Sequence, residues 1–121
     1  MKDPKKEKNN RKTGGNYEQA AGFYLEQHGY QILQYNYRCR IGEIDIVAKE
    51  GENLVFCEVK YRTGPGKGSP LEAVDARKQR KIFQAAMYYL TEHHISDVPC
   101  RFDVICIEGT RIQLVKNAFC G

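Results

Sequence analysis

No apolar run in this 121-residue chain approaches the ~18 residues that a membrane-spanning helix requires. The opening residues, MKDPKKEKNN, contain no apolar stretch of the kind a secretory signal needs. Neither a membrane anchor nor export is therefore expected, and the expected location is the cytoplasm. The five cysteines (Cys39, Cys57, Cys100, Cys106 and Cys120) include no CxxC pair. A structural zinc site is thus not expected, and without an export signal the thiols are expected to be reduced. Surplus charge is also missing from most of the chain. The net +4 resides entirely in residues 1–12, which carry six Lys/Arg against two acids, and the remainder balances 13 against 13. Bulk electrostatic attraction to polyanions is therefore weak, and local clusters must decide. The Gly/Pro-rich stretch TGPGKGSP (residues 63–70) lacks the GxxxxGK[ST] spacing of a phosphate-binding loop.

Residues 1–13 read as a disordered basic tail, lysine- and asparagine-rich and without periodicity. Residues 14–121 read as one small domain. Tyr17, Ala20, Ala21, Tyr24, Leu25 and His28 follow a helical stripe, with Asn16 as its expected N-cap and Gly29 as its stop. Strands are expected over 30–37, 40–48 and 54–62. A second helix should start at Ser69-Pro70 and run to about His93, burying Leu71, Val74, Ile82, Ala85, Ala86 and Tyr89. RFDVICI (101–107) and RIQLV (111–115) complete the set. The order α-β-β-β-α-β-β predicts an α/β fold, a mixed central sheet flanked by helices.

The central hairpin, GEIDIVAKEGENLVFCEVKYR, holds the chemistry. Gly51-Glu52 suits a two-residue type II′ turn. That turn sets Asp45 opposite Glu58, Glu43 opposite Lys60 and Ile41 opposite Arg62 on one face. On the other it sets Ile44 opposite Val59, Ile46 opposite Cys57 and Ala48 opposite Val55. Two carboxylates about 5 Å apart destabilise a hairpin unless one is protonated or a cation lies between them. Mg²⁺ or Mn²⁺, held by one or two carboxylates, removes that cost; an ion network through Glu43 and Lys60 does so as well. The hairpin by itself does not choose between them.

With a cation between Asp45 and Glu58, Lys60 lies on the same face and can stabilise charge on a phosphate. Glu18, on the first helix, can complete the cation's shell. Arg38, Arg40, Arg62, Lys67 and the Arg77–Lys81 cluster, Lys78 included, are placed to contact phosphates without regard to sequence. His93 and His94 read as helix-end residues, and Asp103 as a structural hydrogen-bonding residue.

Gly42-Glu43-Ile44-Asp45, followed by Val55-Phe56-Cys57-Glu58-Val59-Lys60, resembles the D…E-x-K core of the restriction-endonuclease-like (PD-(D/E)xK) nucleases. With Glu18, Gly29-Tyr30, GEIDIVA, EVKYR and RFDVI, the chain resembles more narrowly the YraN (UPF0102-type) family of small, largely uncharacterised bacterial proteins, over about residues 14–107. The resemblance implies Mg²⁺ or Mn²⁺ at Asp45 and Glu58, with Glu18 supporting, Glu43 as a secondary acid and Lys60 as a catalytic residue. It also implies a DNA rather than an RNA partner. Archaeal Holliday-junction resolvases share this layout, which adds branched or irregular structures as the expected substrate. The superfamily's proline is replaced by Ile44, and Cys57 stands where the family usually has valine. The reading is a metal-dependent endonuclease; the alternative is a non-catalytic nucleic-acid-binding module of the same fold. A weak homodimer is expected from the twofold logic of duplex cleavage.

Overall fold

The computed structural model describes residues 12–62 and 74–119, with side chains from residue 17 onward. Its elements are helix α1 (Lys12–Gln27), strands β1 (Gln31–Arg38), β2 (Glu43–Glu50) and β3 (Asn53–Arg62), helix α2 (Ala76–Glu92), and strands β4 (Cys100–Glu108) and β5 (Arg111–Val115). The mixed α/β order is the expected one.

Both helices end where local chemistry stops them. Gly29 takes φ +92°, and Gly29 and Tyr30 donate their N–H groups to the carbonyls of Glu26 and Leu25 at 3.2 and 3.0 Å. This is a Schellman closure, sealed by Leu25 and Tyr30 in one apolar cluster. α2 ends the same way with a non-glycine residue: His94 sits at φ +55° and Ile95 N–H donates to Leu90 O at 2.9 Å.

The helix starts differ from expectation. α1 begins at Lys12, so Asn16 lies inside it rather than capping it, and the helix takes in the last residues of the expected tail. Ala21 and Leu25, both fully buried, anchor the helix, and the turn upstream extends it. The rest of that tail lies outside the described residues, as do the 63–70 loop with Lys67, the Ser69-Pro70 start, Leu71 and Glu72. What is described of the second helix begins later. Asp75 is extended (φ −77°, ψ 177°) and its carboxylate accepts the Lys78 N–H at 2.9 Å. An aspartate cap of this kind stabilises a helix start by about 1 kcal/mol. Val74 therefore enters the core from ahead of the helix, not from within it.

The five strands lie in sequence order, β1-β2-β3-β4-β5. All neighbours are antiparallel except β3 and β4, whose parallel pairing requires the crossover that carries α2. The expected hairpin register holds where β2 and β3 pair, from Glu50–Asn53 to Ile46–Cys57. Gly51 has φ +60° and Glu52 does not share the positive φ, as the type II′ turn requires.

Each sheet face is covered. Under α2 lie Val47, Leu54, Phe56, Phe102 and Val104 with Ile82, Ala85 and Tyr89. Under α1 lie Ile46, Ala48, Val55, Cys57, Ile105 and Ile107 with Ala21 and Leu25. Burial on both faces explains the uninterrupted apolar runs of β3 and β4. Each such side chain contributes roughly 1.5–3 kcal/mol by leaving water.

The alternation breaks near the site, as it does at the bulge between Ile32 and Gln34. Ile46 belongs to the α1 side, yet Ile44 packs on the α2 side with Tyr37. Asn36 and Asp45 fall between the pairs Tyr35–Ile46 and Tyr37–Ile44, and Asn36 has φ +55°. Asparagine is among the few residues that adopt this left-handed conformation readily. β1 and β2 therefore switch faces together. The expected Ile44–Val59 pairing does not form, and β2 leaves β3 after Ile46.

Candidate functional site

Where β2 splays from β3, the Asp45 side chain takes up the strand-to-strand bonding. Its Oδ2 accepts the Val59 N–H at 2.8 Å. Asp45 is 8% exposed and Glu58 4%, and the charge of Asp45 acts on Glu58. Burial raises the Asp45 carboxyl above the ordinary range, with the Glu43 charge adding to it and the Val59 amide opposing. Burial, then the Asp45 charge, pushes Glu58 up to about 7. Asp45 and Glu58 are thus close enough to interact electrostatically, but not as the expected cross-strand pair, since ladder pairing ends at Ile46–Cys57.

Glu18 descends on this point from α1. It is half-buried and pushed up to about 7 by burial first and by the Asp45 charge second, with the Asn36 side chain opposing. Glu18, Glu43 and Asp45 each offer an oxygen within 4.8 Å of the others. Glu43, expected as a secondary acid opposite Lys60, instead joins this cluster. It is held by Arg38, whose Nε lies 3.1 Å from Glu43 Oε1. The expected Glu43–Lys60 pair is not the one formed, because the β2–β3 pairing ends before reaching it while Glu43 stays paired with Arg38 across β1 and β2.

Glu58 points to the α2 side, following Phe56. There its Oε2 meets Lys78 Nζ at 3.3 Å and Lys60 Nζ at 3.8 Å. Lys60 is therefore where the sequence placed it, beside the carboxylate pair. Tyr17 and Tyr61, the chain neighbours of Glu18 and Lys60, stack with ring centroids 3.8 Å apart and bind the start of α1 to the end of β3.

The basic residues divide into two groups. Arg38, Lys78 and Arg62 are engaged with acids, Arg62 with Glu108 at 3.3 Å. Arg40, Arg77, Arg80 and Lys81 are exposed around the β1–β2 connection and the first turns of α2, with the Lys81 side chain near Gly42. His93 bonds the Tyr89 carbonyl at 3.0 Å through its ring, as a helix-end residue would. Asp103 is fully buried and accepts from Tyr30, Arg101 and the Asn117 amide, a structural role whose bonds reach none of the clustered acids. Cys57 is core on the α1 side. Sequence reasoning missed Asn36; its signal was a lone asparagine between two strand tyrosines.

These elements define a small α/β domain carrying a buried carboxylate–lysine cluster at the splayed end of its central hairpin. The chain belongs to the uncharacterised protein family UPF0102, whose model matches residues 17–107 and so spans every member of the cluster. Similar proteins include a UPF0102 protein of Lachnoclostridium phytofermentans, 52% identical, with 92% of this chain and 95% of that one covered. Another, from Syntrophus aciditrophicus, is 46% identical over 91% of this chain and 90% of its own. A third, from Aeromonas hydrophila, is 44% identical, covering 88% and 83%.

Proposed function

We propose that this protein is a Mg²⁺- or Mn²⁺-dependent nuclease of the restriction-endonuclease-like (PD-(D/E)xK) class, hydrolysing a DNA phosphodiester at branched or irregular structures. The observation that carries the reading is the pair Asp45–Glu58. Two buried carboxyls lie close enough at a strand separation for the charge of Asp45 to raise Glu58, with Lys60 beside Glu58 and Glu18 brought in from a helix. An all-carboxylate donor set is hard-oxygen chemistry, which suits Mg²⁺ or Mn²⁺ rather than zinc.

Asp45 would hold the cation with Glu18 and Glu43, whose oxygens lie within 4.8 Å of one another, and Glu58 would join from the α2 side. When bound, the ion supplies Lewis acidity toward a phosphoryl oxygen and acidifies an attached water. Lys60 Nζ stabilises charge building on the phosphate. The Val59 amide fixes the Asp45 carboxylate so that one oxygen remains for the ion. Arg40, Arg77 and Lys81 hold the backbone of the nucleic acid by phosphate contacts that do not read bases. Arg38 and Arg62 brace acids and are secondary to this grip.

Calorimetric titration with Mn²⁺, beside Asp45→Asn and Glu58→Gln, tests the cation site. Binding to the native chain that is lost in both folded variants is the expected result. Cleavage of branched and single-stranded DNA, abolished by Lys60→Ala and restored by no increase in Mn²⁺, then tests the chemistry. Salt-sensitive DNA binding without metal binding or cleavage would instead favour the non-catalytic binding module.

A further inference from the structure

The first turn of α2 is built against the ordinary electrostatics of a helix. Its N-terminus carries partial positive charge and favours acids. Within the first six residues of α2 stand Arg77, Lys78, Arg80 and Lys81, and no acidic residue follows the Asp75 cap. Three of those cations are exposed to solvent. Lys78 is not free in this way: its ammonium lies 3.3 Å from Glu58 Oε2, nearer than that of Lys60 at 3.8 Å. Its backbone is fixed as well, because its own N–H is the donor to the Asp75 cap. The Lys78 side chain is 43% exposed while the Glu58 side chain is 5% exposed, so the acid is enclosed and the lysine has solvent beside it.

From this geometry we infer that Lys78 is the built-in counter-ion of Glu58, occupying Oε2 until a divalent cation displaces it. The inference rests on the cation-site reading and deepens it. Two ammonium groups converge on one carboxylate oxygen. Lys60 is carried by the same strand as Glu58, two residues on, and stays beside it; Lys78 comes from another element on a flexible four-carbon stem. An ion approaching Glu58 therefore competes with Lys78. The displaced ammonium is left at the exposed rim, on the side where the remaining α2 cations lie. The lysine is a positioning residue: it holds Glu58 Oε2 in an ion pair, and it sets how tightly the ion binds.

The test is Mn²⁺ calorimetry at pH 8 and low salt on the chelator-treated full chain, comparing wild type with Lys78→Gln, Lys78→Met and Lys78→Arg. Lys78→Gln and Lys78→Met should bind Mn²⁺ roughly three- to tenfold more tightly, the scale of a partly exposed ion pair. Lys78→Arg should bind no more tightly than wild type. Metal-free melting gives a second readout that a purely helical role would not produce. Lys78→Gln should lower the melting temperature in the native background but raise it or leave it unchanged in a Glu58→Gln background, where only the helix dipole remains. Equal or weaker Mn²⁺ affinity in the uncharged variants would overturn this inference and leave the cation site standing. Absence of Mn²⁺ binding in wild type and variants alike would overturn the cation-site reading and this inference with it.

Discussion

Glu58 and Glu18 are carboxyls that hold protons more tightly folded than unfolded. Each rises from an ordinary 4.5 to about 7, burial being the first cause. A raised carboxyl stabilises the fold fully below about 4.5, and that contribution is lost as pH climbs through about 7. Metal-free protein should therefore lose stability from this cluster between those limits, and a bound divalent cation should restore it above pH 7. Glu58→Gln mimics the protonated acid, so it should match wild type at pH 5 and melt higher at pH 8, by roughly 3–8 °C for each kcal/mol involved. Thermal melts at the two pH values, with chelator and then with Mn²⁺, check this; an equal offset at both would contradict it. The same linkage means that Mn²⁺ competes with protons, so its apparent affinity should weaken as pH falls below 7.

At the scale of single elements, the site depends on where two strands part and where one helix starts. Asp75→Ala removes the cap of α2 and should cost about 1 kcal/mol by urea denaturation. Because the cap also fixes the turn that bears Lys78, the loss should carry over to the Lys78–Glu58 pair. Tyr61→Ala should loosen the start of α1 and weaken Mn²⁺ binding through Glu18 while leaving Glu58 in place. The hairpin was readable in advance from Gly51-Glu52 and from apolar alternation, since a two-residue turn dictates pairing out to Ile46–Cys57. The splay beyond it was not readable. It depends on a left-handed Asn36 in the neighbouring strand, and counting along one hairpin cannot see a third strand. For the same reason Glu43 was assigned to Lys60 when its partner is Arg38.

At the scale of the molecule, the two ends of the sheet do opposite jobs. The acid cluster sits where β2 begins and β3 ends. Mid-sheet, Asp103 is fully buried and satisfied by Tyr30, Arg101 and the Asn117 amide, while toward the other end Glu50 bridges Arg101 and Lys116. These bonds tie the α1–β1 junction, the end of β2, the start of β4 and the turn after β5. Arg101→Met leaves a buried aspartate uncompensated and should cost about 3–5 kcal/mol in chemical denaturation. Adding Asp103→Asn should recover part of that loss. Mn²⁺ affinity of whatever remains folded should be unchanged, because the network's bonds reach none of the clustered acids. No helix among the described residues is long and apolar enough to cross a membrane.

The sequence by itself determined the element order, the hairpin turn, the Gly29 stop and the identity of the acids and lysine that meet, because periodicity, turn chemistry and local spacing act over a few residues. Only the tertiary structure decided which acid faces which base. Glu43 turns to Arg38, Glu58 to Lys78, and Asp45 to the Val59 amide. Those choices follow from a shared face switch in β1 and β2 and from the placement of α2 over β3. Both arise from packing between segments far apart in the chain, where no local rule reaches.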